Sequence, residues 1–218
     1  MEVRVGPAAV TIHSDTEFAV SDVNCEMSST SEQGYFASDT RLVSGYRLKL
    51  CRQRPTLCNS SAVDTHSARF EFTNPVLLGT DGVEIDAHCL HLRLDRTIGH
   101  GIHEDYDLTN FGRRPIAASL EVSIESDFAD LFDVKSSRVI RRGSLQSEWD
   151  ASAGNLVTRY QNGDFERGIA FHVALADSEP EFANGGIVFR LNLEPGQSWH
   201  TCLLWRPSSK APNPSIRP

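Results

Sequence analysis

The amino-acid sequence predicts an all-β protein, a large antiparallel β-sandwich with one short helix. Three observations carry this prediction: short runs of alternating apolar and polar residues, turn-forming residues at regular intervals between them, and no long run with helical periodicity. A chain of 218 residues, 39% of them apolar, can bury one core, because a single sandwich domain routinely reaches about 250 residues. We therefore expect one folded domain over residues 1–206.

In the first half of the chain the predicted strands begin at Tyr46 and end at turns. Pro55, for example, has a fixed φ that suits the first central position of a turn. Three long runs, beginning at Val83, Ile102 and Ile116, follow one another with tight connections, so we expect them to form an antiparallel meander. The predicted strands of this half are 46–51, 56–63, 68–73, 83–94, 102–108 and 116–126.

One segment interrupts the strands with a helix-like pattern. Asp127 can cap a first turn, and Phe128, Leu131 and Phe132 would form a short apolar stripe that faces the core. Turn sequences such as Asn162-Gly163 then separate a second series of strands. These are predicted at residues 144–150, 156–161, 165–176, 187–193 and 198–205.

The end of the chain differs in composition from the rest. Residues 207–218 contain four prolines, three serines and no aromatic side chain. Such a composition cannot bury enough apolar surface to fold. We expect these residues to form a tail or a linker.

Charge and cysteine content limit the classes of partner and the cellular compartment that we expect for this protein. The net charge of −8 disfavours nucleic acid, because binding to a phosphate backbone depends mostly on cationic side chains. No stretch has the roughly 18 apolar residues of a membrane-spanning helix, and the N-terminus has no apolar signal segment. Five widely spaced cysteines without a C-x-x-C pair indicate reduced thiols. We expect a cytoplasmic protein whose partners are neither nucleic acid nor a membrane.

Four residues are candidates for contacting a sugar substrate. Asp127 and Asp130 would share one face of the predicted helix, where they could hydrogen-bond hydroxyl groups, share a proton or hold a cation. Asp39 and Arg41 lie just before a predicted strand and could also bind a substrate hydroxyl. Structural alternatives stay open for both pairs. Asp127 could simply cap the helix, while Asp130 is solvated or pairs with an arginine of 138–142. Asp39 and Arg41 could form a salt bridge that holds a loop in place.

Histidines and aromatic residues support weaker hypotheses. His88 and His91 are an odd number of residues apart, so on a strand they would face opposite sides. His100 and His103 have no cysteine or further histidine nearby in the sequence. Because zinc ligands must converge on one point, we predict no metal site. His103 and Glu104 could act as an acid–base pair. Tyrosines and tryptophans could form a sugar-stacking face, although in a sandwich they more often pack in the core. The residues alone indicate no catalytic group and no cofactor.

Several motifs occur in order along the chain. They read G-Y-F-A-S-D-T-R-L-V-S at 34–44, T-N-P at 73–75, H-L-R-L-D-R at 91–96, L-T-N-F-G-R-R-P at 108–115, S-D-F-A-D-L-F-D-V-K at 126–135 and R-R-G at 141–143. This series resembles the N-terminal domain of bacterial-type glycogen debranching enzymes, the amylo-α-1,6-glucosidases.

The resemblance implies a super-sandwich β-domain that precedes an (α/α)6 barrel, which hydrolyses α-1,6-glucosidic branches. Because the catalytic carboxylates of that family lie in the barrel, the resemblance assigns no catalytic residue to this chain. It implies a non-catalytic accessory domain, with the barrel as its partner in cis or as a separate chain and an α-glucan as a further candidate partner. Two alternatives are a stand-alone glucan-binding module and a mutarotase-type sugar epimerase, which shares the sandwich architecture and uses His and Glu for acid–base chemistry.

Overall fold

The computed structural model describes residues 8–140, 142–183 and 185–210. Within these ranges the chain forms antiparallel strands and one five-residue helix, which confirms the predicted all-β sandwich. No helix in the described ranges is long and apolar enough to cross a membrane. The elements are β1 (Ala9–Ser14), β2 (Glu17–Asp22), β3 (Gly34–Ala37), β4 (Thr40–Val43), β5 (Gly45–Leu50), β6 (Thr56–Ala62), β7 (Ser67–Thr73), β8 (Leu77–Leu78), β9 (Glu84–Ile85), β10 (Leu90–Ile98), β11 (Ile102–Asn110), β12 (Ile116–Glu125), β13 (Ala129–Asp130), α1 (Leu131–Lys135), β14 (Ser144–Asp150), β15 (Asn155–Asn162), β16 (Phe165–Ala176), β17 (Pro180–Ala183), β18 (Gly186–Leu193) and β19 (Ser198–Lys210).

The strands form three larger sheets and one small hairpin. Eight strands lie in the order β14-β15-β16-β19-β11-β10-β7-β6, four in the order β17-β18-β12-β5, and five in the order β1-β2-β3-β4-β13, while β8 pairs with β9. Alternate side chains of β10, such as Leu92 and Leu94, join one core with Leu120 of β12 and Leu191 of β18. This shared core is what joins the sheets into a sandwich, because each contributes one apolar face to it.

The predicted meander of three long strands is wrong in its third member. β10 and β11 do form a hairpin, with Ile98 opposite Ile102. The far side of β11, however, pairs with β19, and β12 pairs with β5 and β18 in the four-stranded sheet. The alternation of side chains predicts which face of a strand is buried, but it contains no information about which sheet the strand joins.

The predicted strand over residues 83–94 is also wrong, because the chain turns in its middle. His88 has a φ of 63°, a left-handed conformation that interrupts the extended backbone between β9 and β10. Asn74 stabilises this turn: its carbonyl oxygen accepts a hydrogen bond from the His88 amide, and its Oδ1 accepts one from the Leu90 amide at 2.7 Å. A side chain remote in sequence therefore sets the beginning of β10.

The short helix begins later than predicted and presents a different face. Its N-cap is Asp130, whose Oδ1 accepts a hydrogen bond from the Phe132 amide at 2.8 Å, and not Asp127. Phe128 is buried as expected, but Phe132 is 75% exposed, so the predicted inward stripe does not form. A helix of five residues turns little more than once, and here the buried side chain is Val134.

At the two ends of the described chain, the strands differ from the predicted ones. The sheet that contains β1 to β4 lies mostly in a region for which no strand was predicted. At the other end, β19 continues through Lys210, past the expected domain end at residue 206, in a region where only β16 accompanies it. Pro207 fits there because an edge position tolerates a residue without an amide hydrogen. Arg141 of the R-R-G motif, Asn184 and residues 211–218 of the expected tail lie outside the described residues.

Candidate functional site

Two of the predicted substrate-binding residues, Arg41 and Asp127, meet in an ion pair. Arg41 lies in β4 and is fully buried, its Nη2 donates to Asp127 Oδ2 at 2.5 Å, and its Nε donates to Oδ1 at 3.2 Å. This two-point geometry matches the planar guanidinium to the carboxylate. The expected pair between Asp39 and Arg41 is wrong, because Asp39 lies exposed in the tight turn between β3 and β4 while Arg41 points inward.

The remaining donors of Arg41 bind the backbone of residues 29–33. Its Nη1 donates to the carbonyl oxygens of Ser31 and Gln33 at 2.9 and 3.2 Å, and its Nη2 donates to Ser29 at 3.4 Å. A guanidinium has five N–H groups, and with the two bonds to Asp127 each of them has an acceptor. Arg41 therefore ties a loop, β4 and the start of the helical segment together.

The other two candidates, Asp39 and Asp130, lie beside this ion pair. β13 runs along β4 with Ala129 opposite Arg41 and Asp130 opposite Thr40. Asp130 is exposed and caps α1, and the carbonyl oxygen of Asp39 accepts a hydrogen bond from the Leu131 amide at 2.9 Å. The four candidates thus lie at one end of the molecule, although they make different interactions there.

Exposed apolar side chains surround this end. A cleft of about 180 Å³ is lined by Asp130, Asp133, Ile140 and Phe165 among others. Ile140 is 61% exposed, and Phe132, the neighbour of Asp133 on α1, is exposed as well. We call the exposed apolar side chains of this end the Phe132 surface. It comprises Phe132, Val139, Ile140 and Phe165.

A second concave region was not predicted. A groove of about 480 Å³ lies between residues 81–89 and residues 111–117, and we call it the Phe111 groove. Phe111 lines it and is 69% exposed. At its rim Arg114 and Asp86 form an exposed ion pair at 2.9 Å. The groove therefore combines an aromatic ring with charged groups that can donate and accept hydrogen bonds.

A buried asparagine holds each side of the Phe111 groove. Asn110 donates from Nδ2 to the carbonyl oxygens of Arg114 and Leu193, both at 2.9 Å, and its Oδ1 accepts from the Gly112 amide. On the other side Asn74 donates to the carbonyl oxygen of Asp86 at 2.8 Å. These asparagines stand in the T-N-P and L-T-N-F-G motifs, which were the signals in the sequence that could have predicted the groove.

The hypothetical acid–base pair of His103 and Glu104 does not form. Adjacent residues of a strand point to opposite faces, so His103 is exposed on the outer face of β11 while Glu104 is fully buried. There Glu104 accepts hydrogen bonds from Arg96 at 2.8 Å, from Trp205 at 3.1 Å and from Tyr106 at 2.5 Å. Burial raises the pKa of Tyr106, and the Glu104 carboxylate raises it further.

The tyrosines and most of the tryptophans belong to the core rather than to a sugar-stacking face. Tyr46 is buried, its hydroxyl lies 2.8 Å from that of Tyr106, and its ring packs 4.7 Å below the guanidinium of Arg96. Trp205 is buried in the same group. Trp149 differs, because it is half-buried and stacks on exposed Phe182.

Neither region described above contains a group of side chains arranged to bind a metal ion. In the described ranges, a group of side chains that could hold a metal ion lies elsewhere, on the outer face of the eight-stranded sheet, and consists of His103, Asp105 and Cys202.

Comparison with known proteins decides the family. A family model described as the N-terminal domain of some glycogen debranching enzymes matches residues 12–204. The chain belongs to this family. The resemblance drawn from the motifs is thereby confirmed, and the matched residues include Arg41, Asp127 and both sides of the Phe111 groove in this debranching-enzyme domain. No curated protein matches the sequence.

A solved structure agrees with this debranching-enzyme domain in fold. A galactose mutarotase-like protein from Lactobacillus casei ATCC 334 superposes with a TM-score of 0.52 at 8% identity, over 92% of this chain and 100% of that one. A putative kojibiose phosphorylase from the human microbiome has a TM-score of 0.49 at 6% identity, over 87% of this chain and 25% of that one. At 8% identity the likeness to the mutarotase-like protein concerns the fold alone.

Proposed function

We propose that this debranching-enzyme domain is a non-catalytic accessory domain of a glycoside hydrolase that acts on glycogen branches. Its partner is an (α/α)6 catalytic barrel, in cis or as a separate chain. Membership of a family described as the N-terminal domain of debranching enzymes supports a catalytic domain in cis. The proposal rests chiefly on one observation, the exposure of Phe132 within a family-like motif.

Phe132 does not contribute to the core of this chain. In the motif at 126–135, Phe128 and Val134 are buried, whereas Phe132 extends into solvent, and Ile140, which lines the cleft together with Asp130 and Asp133, is exposed as well. Burying a phenylalanine side chain contributes about 1.5–3 kcal/mol, and clustered exposed apolar residues mark interaction surfaces. The Phe132 surface therefore suits an apolar patch on a second domain.

The polar residues of the motifs support a scaffolding role. Arg41 directs each of its donors to this chain, and Asn74 and Asn110 bind backbone carbonyl groups of this chain, those of Asp86 and Leu193 among them. A side chain whose hydrogen-bonding groups are already engaged inside the protein gains little by turning to a sugar. Asp127, which Arg41 binds at two points, is held in the same way.

Activity of the isolated chain tests the non-catalytic part of the proposal. The purified 218-residue chain is incubated with an α-1,6-branched dextrin, and released glucose is measured against a debranching enzyme as the positive control. We expect no release above the buffer blank. Reproducible turnover that increases with the concentration of the chain would overturn the proposal.

An immunoblot of native cells tests the arrangement of the partner. An antibody against this domain should detect a band much larger than 24.1 kDa if the barrel is in cis. A band near that mass would mean that the domain is a chain of its own, and copurification of a separate barrel chain would then decide between the accessory domain and a stand-alone glucan-binding module.

A pair of substitutions tests the role of the Phe132 surface. Phe132→Ser and Val63→Ser each remove one exposed apolar side chain, the latter in the turn after β6. In the isolated chain both should change stability by no more than about 0.5 kcal/mol. In the protein that carries the barrel, we expect Phe132→Ser alone to lower the melting temperature and the debranching rate. Equal behaviour of the two variants there would exclude this surface.

The alternative, a glucan-binding module, is favoured by the Phe111 groove. An exposed aromatic ring beside an ion pair is a suitable combination for a sugar, whose ring stacks and whose hydroxyl groups hydrogen-bond. Calorimetric titration with malto-oligosaccharides tests it, with Phe111→Ala as the variant and Phe132→Ala as the control. Binding that Phe111→Ala abolishes would support this function, and a flat titration of the wild-type chain would contradict it.

A further inference from the structure

The outer face of β11 and β19 carries a group of side chains with metal-ligating atoms. His103 and Asp105 are two residues apart on β11 and so point to the same side, and Cys202 lies directly opposite Asp105 on β19. We call these three residues the His103 cluster. Their side chains come together only because β11 pairs with a strand that is about 100 residues away in sequence, as His103 and Cys202 differ by 99 positions.

The distances within the His103 cluster are those of potential ligands to one ion. The ligand atoms all lie within 4.8 Å of one another. His103 Nε2 is 2.6 Å from Cys202 Sγ and 3.3 Å from Asp105 Oδ1. Ligand atoms of a tetrahedral zinc, at bond lengths of about 2.0–2.3 Å, are separated by about 3.3–3.8 Å. A small rotation of His103, whose side chain is about half exposed, opens that space.

We propose that His103, Asp105 and Cys202 bind a Zn²⁺ ion on the outer face of the eight-stranded sheet, with water as the fourth ligand. One imidazole nitrogen, one carboxylate oxygen and one sulfur form a donor set that suits zinc better than calcium or magnesium, which prefer oxygen alone. The side toward solvent stays open, because His103 and Asp105 are only partly covered.

His200 and Asp107 support the carboxylate ligand from the next position along both strands. His200 lies opposite Asp107, with Nδ1 at 2.9 Å from Asp107 Oδ1 and Nε2 at 3.7 Å from Asp105 Oδ1. Asp107 thereby orients the imidazole of His200 beside the Asp105 carboxylate. Asp107 also pairs with Arg93 at 2.6 Å, which holds it in place.

The same group of residues does not suit nucleophilic catalysis by Cys202. Cys202 is nearly covered, with 8% of the residue exposed, and the Asp105 carboxylate lies directly opposite it on β11. A thiolate nucleophile is favoured by an accessible position beside a cationic group, and this arrangement provides neither.

Titration of the tag-free chain with Co²⁺ and Zn²⁺ tests the proposal. After chelator treatment and dialysis, Co²⁺ should produce visible bands of a tetrahedral site together with a near-ultraviolet thiolate-to-cobalt band. Zn²⁺ should displace it at one equivalent. We expect Zn²⁺ to raise the melting temperature of the chain, because a ligand that binds only the folded state stabilises it.

Three variants separate the His103 cluster from other metal-binding groups. Cys202→Ser should remove the thiolate band, and both Cys202→Ser and His103→Ala should weaken zinc binding more than tenfold. Cys58→Ser, which removes an exposed thiol on β6, should change neither. Because His103 is exposed, His103→Ala keeps the test valid if Cys202→Ser fails to fold. No binding by the wild-type chain, or equal binding by wild type and His103→Ala, would overturn the proposal.

Discussion

At the residue scale, two buried arginines show how this chain accommodates charge. Arg41 and Arg96 are both fully buried, and each has a carboxylate partner, Asp127 or Glu104. A buried charge is tolerated only when it is paired and hydrogen-bonded, because desolvation costs several kcal/mol per ion. The importance of Arg41 could be predicted from its motif, but the identity of its partner could not.

Loss of Arg41 should destabilise the chain strongly. We expect Arg41→Ala to lower the free energy of unfolding by about 3–5 kcal/mol, because Asp127 and the carbonyl groups of residues 29–33 lose their donor. Urea denaturation followed by tryptophan fluorescence measures this. Arg47→Ala, which breaks an exposed ion pair with Glu125, is the matched control and should cost less than about 1 kcal/mol. Equal losses in the two variants would contradict the role assigned to Arg41.

Loss of the Glu104 charge should have a similar effect. Glu104→Gln keeps the shape of the side chain but leaves Arg96 buried without a negative partner, and we expect a loss of about 3–5 kcal/mol. The same urea measurement applies, with Glu148→Gln at an exposed ion pair as the control. A loss below about 1 kcal/mol for Glu104→Gln would mean that the pair is not needed for stability.

At the scale of elements, the hairpin of β10 and β11 shows how a close backbone approach limits the sequence. Gly101 has a φ of 110°, and a Cβ atom at this position would lie 2.1 Å from the carbonyl oxygen of Trp205 in β19. Gly99, in the same turn, has no atom within 4 Å of the corresponding position. One glycine is therefore required by the neighbouring strand and the other is not.

This difference predicts unequal effects of two identical substitutions. Gly101→Ala should cost at least about 1–3 kcal/mol, because it combines a strained backbone with a steric clash against β19. Gly99→Ala should be nearly neutral. Thermal denaturation of both variants measures the difference, and a Gly101→Ala chain as stable as Gly99→Ala would show that β19 does not lie this close to the turn.

At the scale of the whole molecule, one core joins the three larger sheets. Tyr35 of the five-stranded sheet, Leu92 of the eight-stranded sheet and Leu191 of the four-stranded sheet all belong to it. Cys25, in the loop between β2 and β3, belongs to it as well. A core shared in this way leads us to expect cooperative unfolding. Burial raises the pKa of the Cys25 thiol well above its ordinary value, which further reduces its reactivity in the folded state.

Alkylation of the cysteines should therefore report on global unfolding. We expect iodoacetamide to modify exposed Cys58 rapidly in the native chain, and Cys25 only when the whole molecule unfolds. Mass spectrometry of the labelled peptides across a urea series measures both rates, with fluorescence as the reference for unfolding. Labelling of Cys25 well below the fluorescence midpoint would show that its region opens separately.

The sequence by itself determined the properties that depend on local patterns of residues. These are the strand-rich class, the bounds of β14 and β16, the buried face of β10 and the family motifs. These are readable because side-chain alternation and turn chemistry act between near neighbours. Only the tertiary structure decided that β12 joins the second sheet, that Arg41 binds Asp127 86 positions away, and that Cys202 lies beside His103. These long-range contacts depend on how strands pair across the whole chain. Packing and long-range hydrogen bonds select that pairing, and no local pattern of residues encodes it.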